Sequence, residues 1–110
     1  MTRLYRPPRR DANEGDIIDG LVRVGAIVYK LDQKDIPDLL VGYRGRWILL
    51  EVKLPLGPKG GAVSHQTLSD GQADFFAAAV RHSLPVFLVR SVEESYQAIG
   101  ANESILEGLA

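Results

Sequence analysis

Asp38, Glu51 and Lys53 fall within one short stretch, "DIPDLLVGYRGRWILLEVK", whose other residues mostly ask for burial. Two carboxylates can hold a hard divalent cation through oxygen, and a lysine beside them is a mobile donor to water or to an anion. That chemistry requires the chain to bring Asp38 to Glu51. "DLLVGY" and "WILLEVKL" are apolar runs rich in β-branched and aromatic residues, and the "RGR" between them predicts a hairpin turning near Gly45. Partner numbers in such a hairpin sum to about 89 or 90, which sets Asp38 across from Glu51 or Val52. Pro37, with its fixed φ and missing N–H, suits the first position of the partner strand.

Alternation along the second hairpin strand sends Ile48, Leu50, Val52 and Leu54 to one face and Trp47, Leu49, Glu51 and Lys53 to the other. The first face must pack on the core, so Glu51 and Lys53 are expected side by side on a semi-buried opposite face. Opposed carboxylates there repel and lose hydration unless Lys53 or a bound cation compensates. On this reading, neutralising Glu51 raises the stability of the metal-free chain. The plainer alternatives are a Glu51–Lys53 surface ion pair, worth little, and an Asp38 that caps a turn.

The elements that position these residues follow from periodicity. "RDANEGDIIDGLVRVG" places Ile17, Ile18, Leu21 and Val22 on one helical face, with Gly25 as the stop. "AIVYKL" is a first strand, the hairpin supplies two more, and "PLGPKGGAVSHQT" reads as a loop. A second helix, "LSDGQADFFAAAVRHS", groups Leu68, Phe75, Phe76, Ala79 and Val80 on one face. "PVFLVR" is a fourth strand, "SVEESYQAIG" a short helix opened by Ser91 and Glu94, and "NESILEGLA" a weak terminal helix. The order α-β-β-β-α-β-α predicts an α/β fold, a small mixed β-sheet flanked by helices. Glu14 precedes Ile17 and Ile18 by three and four residues and faces inward, although it also has capping-box spacing with Asp11. Gln72 is parallel: it shares a face with Leu68, Phe75 and Phe76, and has capping-box spacing with Ser69. His65 lies in the loop and reads as a solvated side chain.

A chain of 110 residues at 45% hydrophobic suits one domain, residues 11–110, behind a basic arm over residues 1–10. With no cysteine and two histidines there is no disulfide framework and no usual zinc cluster, so any metal is oxygen-bound. No signal-like segment and no run of about 18 apolar residues is present, which gives the expectation of a cytoplasmic chain with no membrane partner. The arm holds Arg3, Arg6, Arg9 and Arg10 and no acid, so in a chain of net charge −1 the remainder carries −5. Such an arm either contacts phosphates or is a solvated tail. An acidic body that meets an anion needs cations, and a bound divalent metal supplies them locally.

Pro37-Asp38 followed by Glu51, any residue and Lys53 resembles the catalytic signature of the PD-(D/E)XK nuclease superfamily. Together with Glu14 on the preceding helix, the "EVK" triplet, and Gln72 followed by Phe75 and Phe76, the pattern looks like the VRR-NUC family of replication-repair nucleases, from about Arg10 to Arg90. Asp35 and Ile36 stand before Pro37, where that family often has glycine, so Asp35 is a second candidate acid there. The resemblance implies a restriction-endonuclease-like core and a Mg²⁺-dependent, structure-directed DNA endonuclease acting on branched DNA such as Holliday junctions, with Mn²⁺ as a substitute. It implies catalytic roles for Asp38, Glu51, Lys53, Gln72 and Glu14. The implied metal ligands are Asp38, Glu51, the carbonyl of Val52, and Glu14 directly or through water, with one or two metals. Arg3, Arg6, Arg9, Arg10 and Lys59 would track the DNA backbone. A homodimer is expected, with Ile105, Leu106 and Leu109 as one candidate contact, working at the nucleoid or in host cytoplasm if viral. The alternatives are a non-catalytic nucleic-acid-binding or assembly module of the same fold, and an unrelated small α/β regulatory domain.

Overall fold

The computed structural model describes residues 13–56 and 67–101, and everything below concerns those residues. The arginines of the arm, Lys59, His65 and the terminal Ile105, Leu106 and Leu109 lie outside them. The described elements are α1 (Glu14–Arg23), β1 (Ile27–Lys30), β2 (Leu39–Tyr43), β3 (Arg46–Val52), α2 (Asp70–Arg81), β4 (Val86–Val89) and α3 (Val92–Ile99), the predicted order.

The four strands form one mixed sheet in the order β1-β2-β3-β4. β1, β2 and β3 are antiparallel neighbours, while β4 runs parallel to β3. A parallel pair cannot be joined by a tight turn, and here the crossover contains α2. The β2–β3 hairpin closes through Arg44 and Gly45, both at positive φ (50° and 81°), as a two-residue turn matched to strand twist requires. Its register pairs Leu39 with Leu50 and Tyr43 with Arg46, so partner numbers sum to 89.

On one face of the sheet, Leu39, Val41, Ile48, Leu50, Val52 and Val89 pack against Ile17 and Leu21 of α1 and Ile99 of α3, all essentially removed from water. Each such aliphatic side chain contributes about 1.5–3 kcal/mol through burial. Two residues depart from the periodic expectation. Val22 is 57% exposed, and Gly20 is buried instead, because α3 crosses α1 there and Tyr96 donates its hydroxyl proton to the Gly20 carbonyl at 2.9 Å. Val80 is 70% exposed: α2 has Ala79 as its one buried residue, so the stripe it covers is too narrow to include the next position. α3 starts as predicted, with Ser91 Oγ accepting the Glu94 N–H, and Glu94 Oε1 accepting the Arg90 N–H rather than that of Ser91.

Candidate active site

The open end of the β2–β3 hairpin is where the regular ladder stops. Extending the register one pair beyond Leu39 and Leu50 sets Asp38 opposite Glu51, and a further step sets Pro37 opposite Val52. Proline has no N–H to give the Val52 carbonyl. The Val52 N–H is taken by a side chain instead, donating to Asp38 Oδ2 at 2.8 Å. Asp38 keeps its own carbonyl in the sheet, accepting the Leu31 N–H at 2.8 Å. It is thereby fixed through backbone to the residue that follows β1 and through its carboxylate to β3.

Glu51 and Lys53 are deeper than the alternation suggests: 0% and 4% exposed, where a semi-buried face was expected. The cause is Gln72 in the first turn of α2, which covers this end of the sheet. Lys53 Nζ donates to Gln72 Oε1 at 2.9 Å, Gln72 Nε2 donates to Glu51 Oε2 at 3.2 Å, and Lys53 Nζ lies 3.6 Å from that same oxygen. An ammonium can only donate and a carboxylate can only accept, so the network itself sets which way the Gln72 amide points. The capping box is present as well. Ser69 Oγ accepts the Gln72 N–H at 3.2 Å and Gln72 Oε1 accepts the Ser69 N–H at 2.9 Å. Helix cap and site contact are one side chain, which ties the lysine's position to the start of α2.

Glu14 opens α1 and is 7% exposed, with Oε1 3.3 Å from Lys30 Nζ. The helix cap is Asn13, and Glu14 stands at the first helical position rather than at the third position that a capping box with Asp11 requires. The Asn13 side chain makes no cap hydrogen bond; its Nδ2 donates to the carbonyls of Lys53 at 2.9 Å and Arg90 at 3.1 Å. It pins α1 to the C-terminal ends of β3 and β4. Arg90 closes the same end by donating to the Leu54 carbonyl at 2.9 Å. Asn13, Lys30 and Arg90 were not singled out in the sequence. Asn13 has the residue type of a helix cap, but nothing local announces a bond to residues forty and seventy-seven positions away.

Asp35 is at φ 67° in the β1–β2 connection, and its carboxyl group lies against Gly71 so closely that a Cβ there would overlap it. A carboxylate in the first turn of a helix is favoured by the exposed N–H groups and the helix dipole. Asp35 therefore belongs to the start of α2, and it connects the loop that carries Asp38 to the helix that carries Gln72.

The structure thus brings Asp38, Glu51, Lys53 and Gln72 together, and pairs Glu14, on the helix anchored by Asn13, with Lys30 at the end of β1. Among the described residues, no three acidic or histidine side chains converge as a metal-binding group. The donors at the hairpin end are two carboxylates and the Val52 carbonyl, a set of hard oxygens that suits Mg²⁺ when waters and phosphate fill the remaining positions. No helix among the described residues is long and apolar enough to cross a membrane. No protein-family model matches the chain, and neither does any curated protein or solved structure.

Proposed function

We propose that the chain is a Mg²⁺-dependent endonuclease of the PD-(D/E)XK type that hydrolyses phosphodiester bonds in branched DNA. The observation that supports this best is the burial of Glu51 and Lys53 beside Asp38, held by Gln72. Burying an ion pair costs more in desolvation than apolar residues of similar volume would, so its presence at the open end of a hairpin points to chemistry rather than stability. A mixed sheet with both carboxylates where the β2–β3 ladder ends, and α2 as the next described element supplying Gln72, supports the reading.

Asp38 and Glu51 would hold the cation with the Val52 carbonyl, and Glu14 would complete the set through water. Bound Mg²⁺ supplies Lewis acidity and positive charge at the scissile phosphate. Lys53 Nζ, aimed by Gln72, positions the attacking water and donates to the phosphate oxygen on which charge grows. Gln72 acts through Lys53 and Glu51 and is a positioning residue. The arm and Lys59 would follow the phosphate backbone without reading sequence.

Cleavage of four-way junction, flap, nicked and linear DNA with Mg²⁺ tests the proposal, with Lys53→Arg as control. Arginine keeps the charge beside Glu51 but its rigid planar fork misplaces the donor, and the variant's melting temperature reports separately that it folds. The expected result is cutting of a branched substrate and a loss of roughly 10²–10⁴-fold in the variant. A chain that binds branched DNA with no cutting in Mg²⁺ or Mn²⁺ is instead a non-catalytic module of this fold.

A further inference from the structure

The sheet face that carries Asp38 and Glu51 continues away from them as an uncovered row of rings. Residues paired directly across strands share a face, so Ile27, Gly42 and Trp47 form one row and Tyr29, Leu40 and Leu49 the next, with Asp38 and Glu51 beyond. Tyr29 is 56% and Trp47 55% exposed, and their rings lie 6.4 Å apart, tilted by 35°. Gly42 makes this possible: a Cβ there would come within 2.9 Å of the Trp47 ring, so only glycine lets the indole lie down on the sheet.

We infer that Tyr29 and Trp47 form a stacking platform for unpaired bases of single-stranded DNA, leading into the carboxylate site. The inference rests on the hydrolytic reading of that site. Exposed aromatic rings on an open sheet take bases irrespective of sequence, because every base has a π-face. The acidic end, continuous with the platform along β3, is where a phosphate would meet a divalent cation. Trp47 and Glu51 are four residues apart on one strand, roughly 13 Å. A strand with a base on the platform therefore places a phosphate a few nucleotides away at the carboxylates. A duplex, its bases stacked inside, has no ring faces to offer.

Trp47 is the chain's one tryptophan, so its emission reports on the platform directly. The full chain in EDTA, where DNA stays intact, is titrated with an oligothymidylate of about eight nucleotides, its abasic counterpart and a duplex. The oligothymidylate should quench Trp47 emission saturably and the other two much less, and Tyr29→Ala should weaken its binding about tenfold. Equal quenching by the abasic strand, no quenching, or unchanged affinity in Tyr29→Ala overturns the platform. Emission that shifts with protein concentration and ignores DNA also overturns it and assigns the face to a second copy of the chain. Quenching without cleavage in Mg²⁺ keeps the platform and removes the hydrolytic reading; cleavage without quenching does the reverse.

Discussion

Asp38 Oδ2 accepts the Val52 N–H at 2.8 Å, a side chain standing in at the point where Pro37 ends the ladder. The bond fixes Asp38 beside Glu51 while placing an N–H, not a second negative group, against the Asp38 oxygen. Glu51 in turn faces Gln72 and Lys53. The two carboxylates are neighbours, but each is compensated by a different group.

That arrangement reverses the expectation for Glu51→Gln. Repulsion between bare carboxylates predicts a stabilised variant without metal. With Lys53 buried 3.6 Å from Glu51 Oε2, neutralising the glutamate leaves an ammonium without its counter-charge. The expected change in EDTA is a lower melting temperature, on the order of 3 kcal/mol in stability, together with weaker divalent binding. A raised melting temperature would show that the repulsion dominates after all.

Gly71→Ala drives a methyl group into the Asp35 carboxyl group. Overpacking of this kind costs about 1–3 kcal/mol, and here it should also move Gln72 and reduce cleavage. Asp35→Ala in the same chain should recover much of the loss in stability, a non-additive result expected of residues in contact. Strict additivity in chemical denaturation would mean the two do not meet.

Removing residues 1–10 takes away Arg3, Arg6, Arg9 and Arg10. If all four meet phosphates, the slope of log K against log salt for branched DNA should flatten by up to about 3.6. The measurement is binding anisotropy across a salt series, and an unchanged slope would leave the arm without a role in DNA contact.

Assembly gives the last prediction. One chain carries one candidate site, whereas resolving a four-way junction takes a cut on each of two strands, which a twofold dimer supplies. Light scattering should give the mass of a dimer, and supercoiled plasmid bearing a cruciform should be linearised without much nicked circle. A monomeric mass with nicked circle accumulating first would favour a nicking or flap-directed enzyme.

The order of elements, the hairpin and its register were legible in the sequence because they depend on short-range rules: alternation in β3, the turn at Arg44-Gly45, and the caps at Ser69 and Ser91. Those rules place Asp38 opposite Glu51, and they put Glu51 and Lys53 on one face. They are silent on depth. Only the tertiary structure buries Glu51 and Lys53, because α2, nearly twenty residues further on, lays Gln72 over them. It also makes one glutamine both a capping-box residue and the partner of Lys53 and Glu51, two readings that local spacing leaves as rivals. Lys30, Asn13 and Arg90 gain their places from packing between distant segments, as Asn13 does by bonding the ends of β3 and β4. The same limit explains Val22 and Val80: periodicity says which residues share a helical face, but how wide a stripe is covered depends on what packs there. Residue type and spacing determine what can meet along one strand or helix turn, while burial and long-range partners are decided by how the elements close on one another.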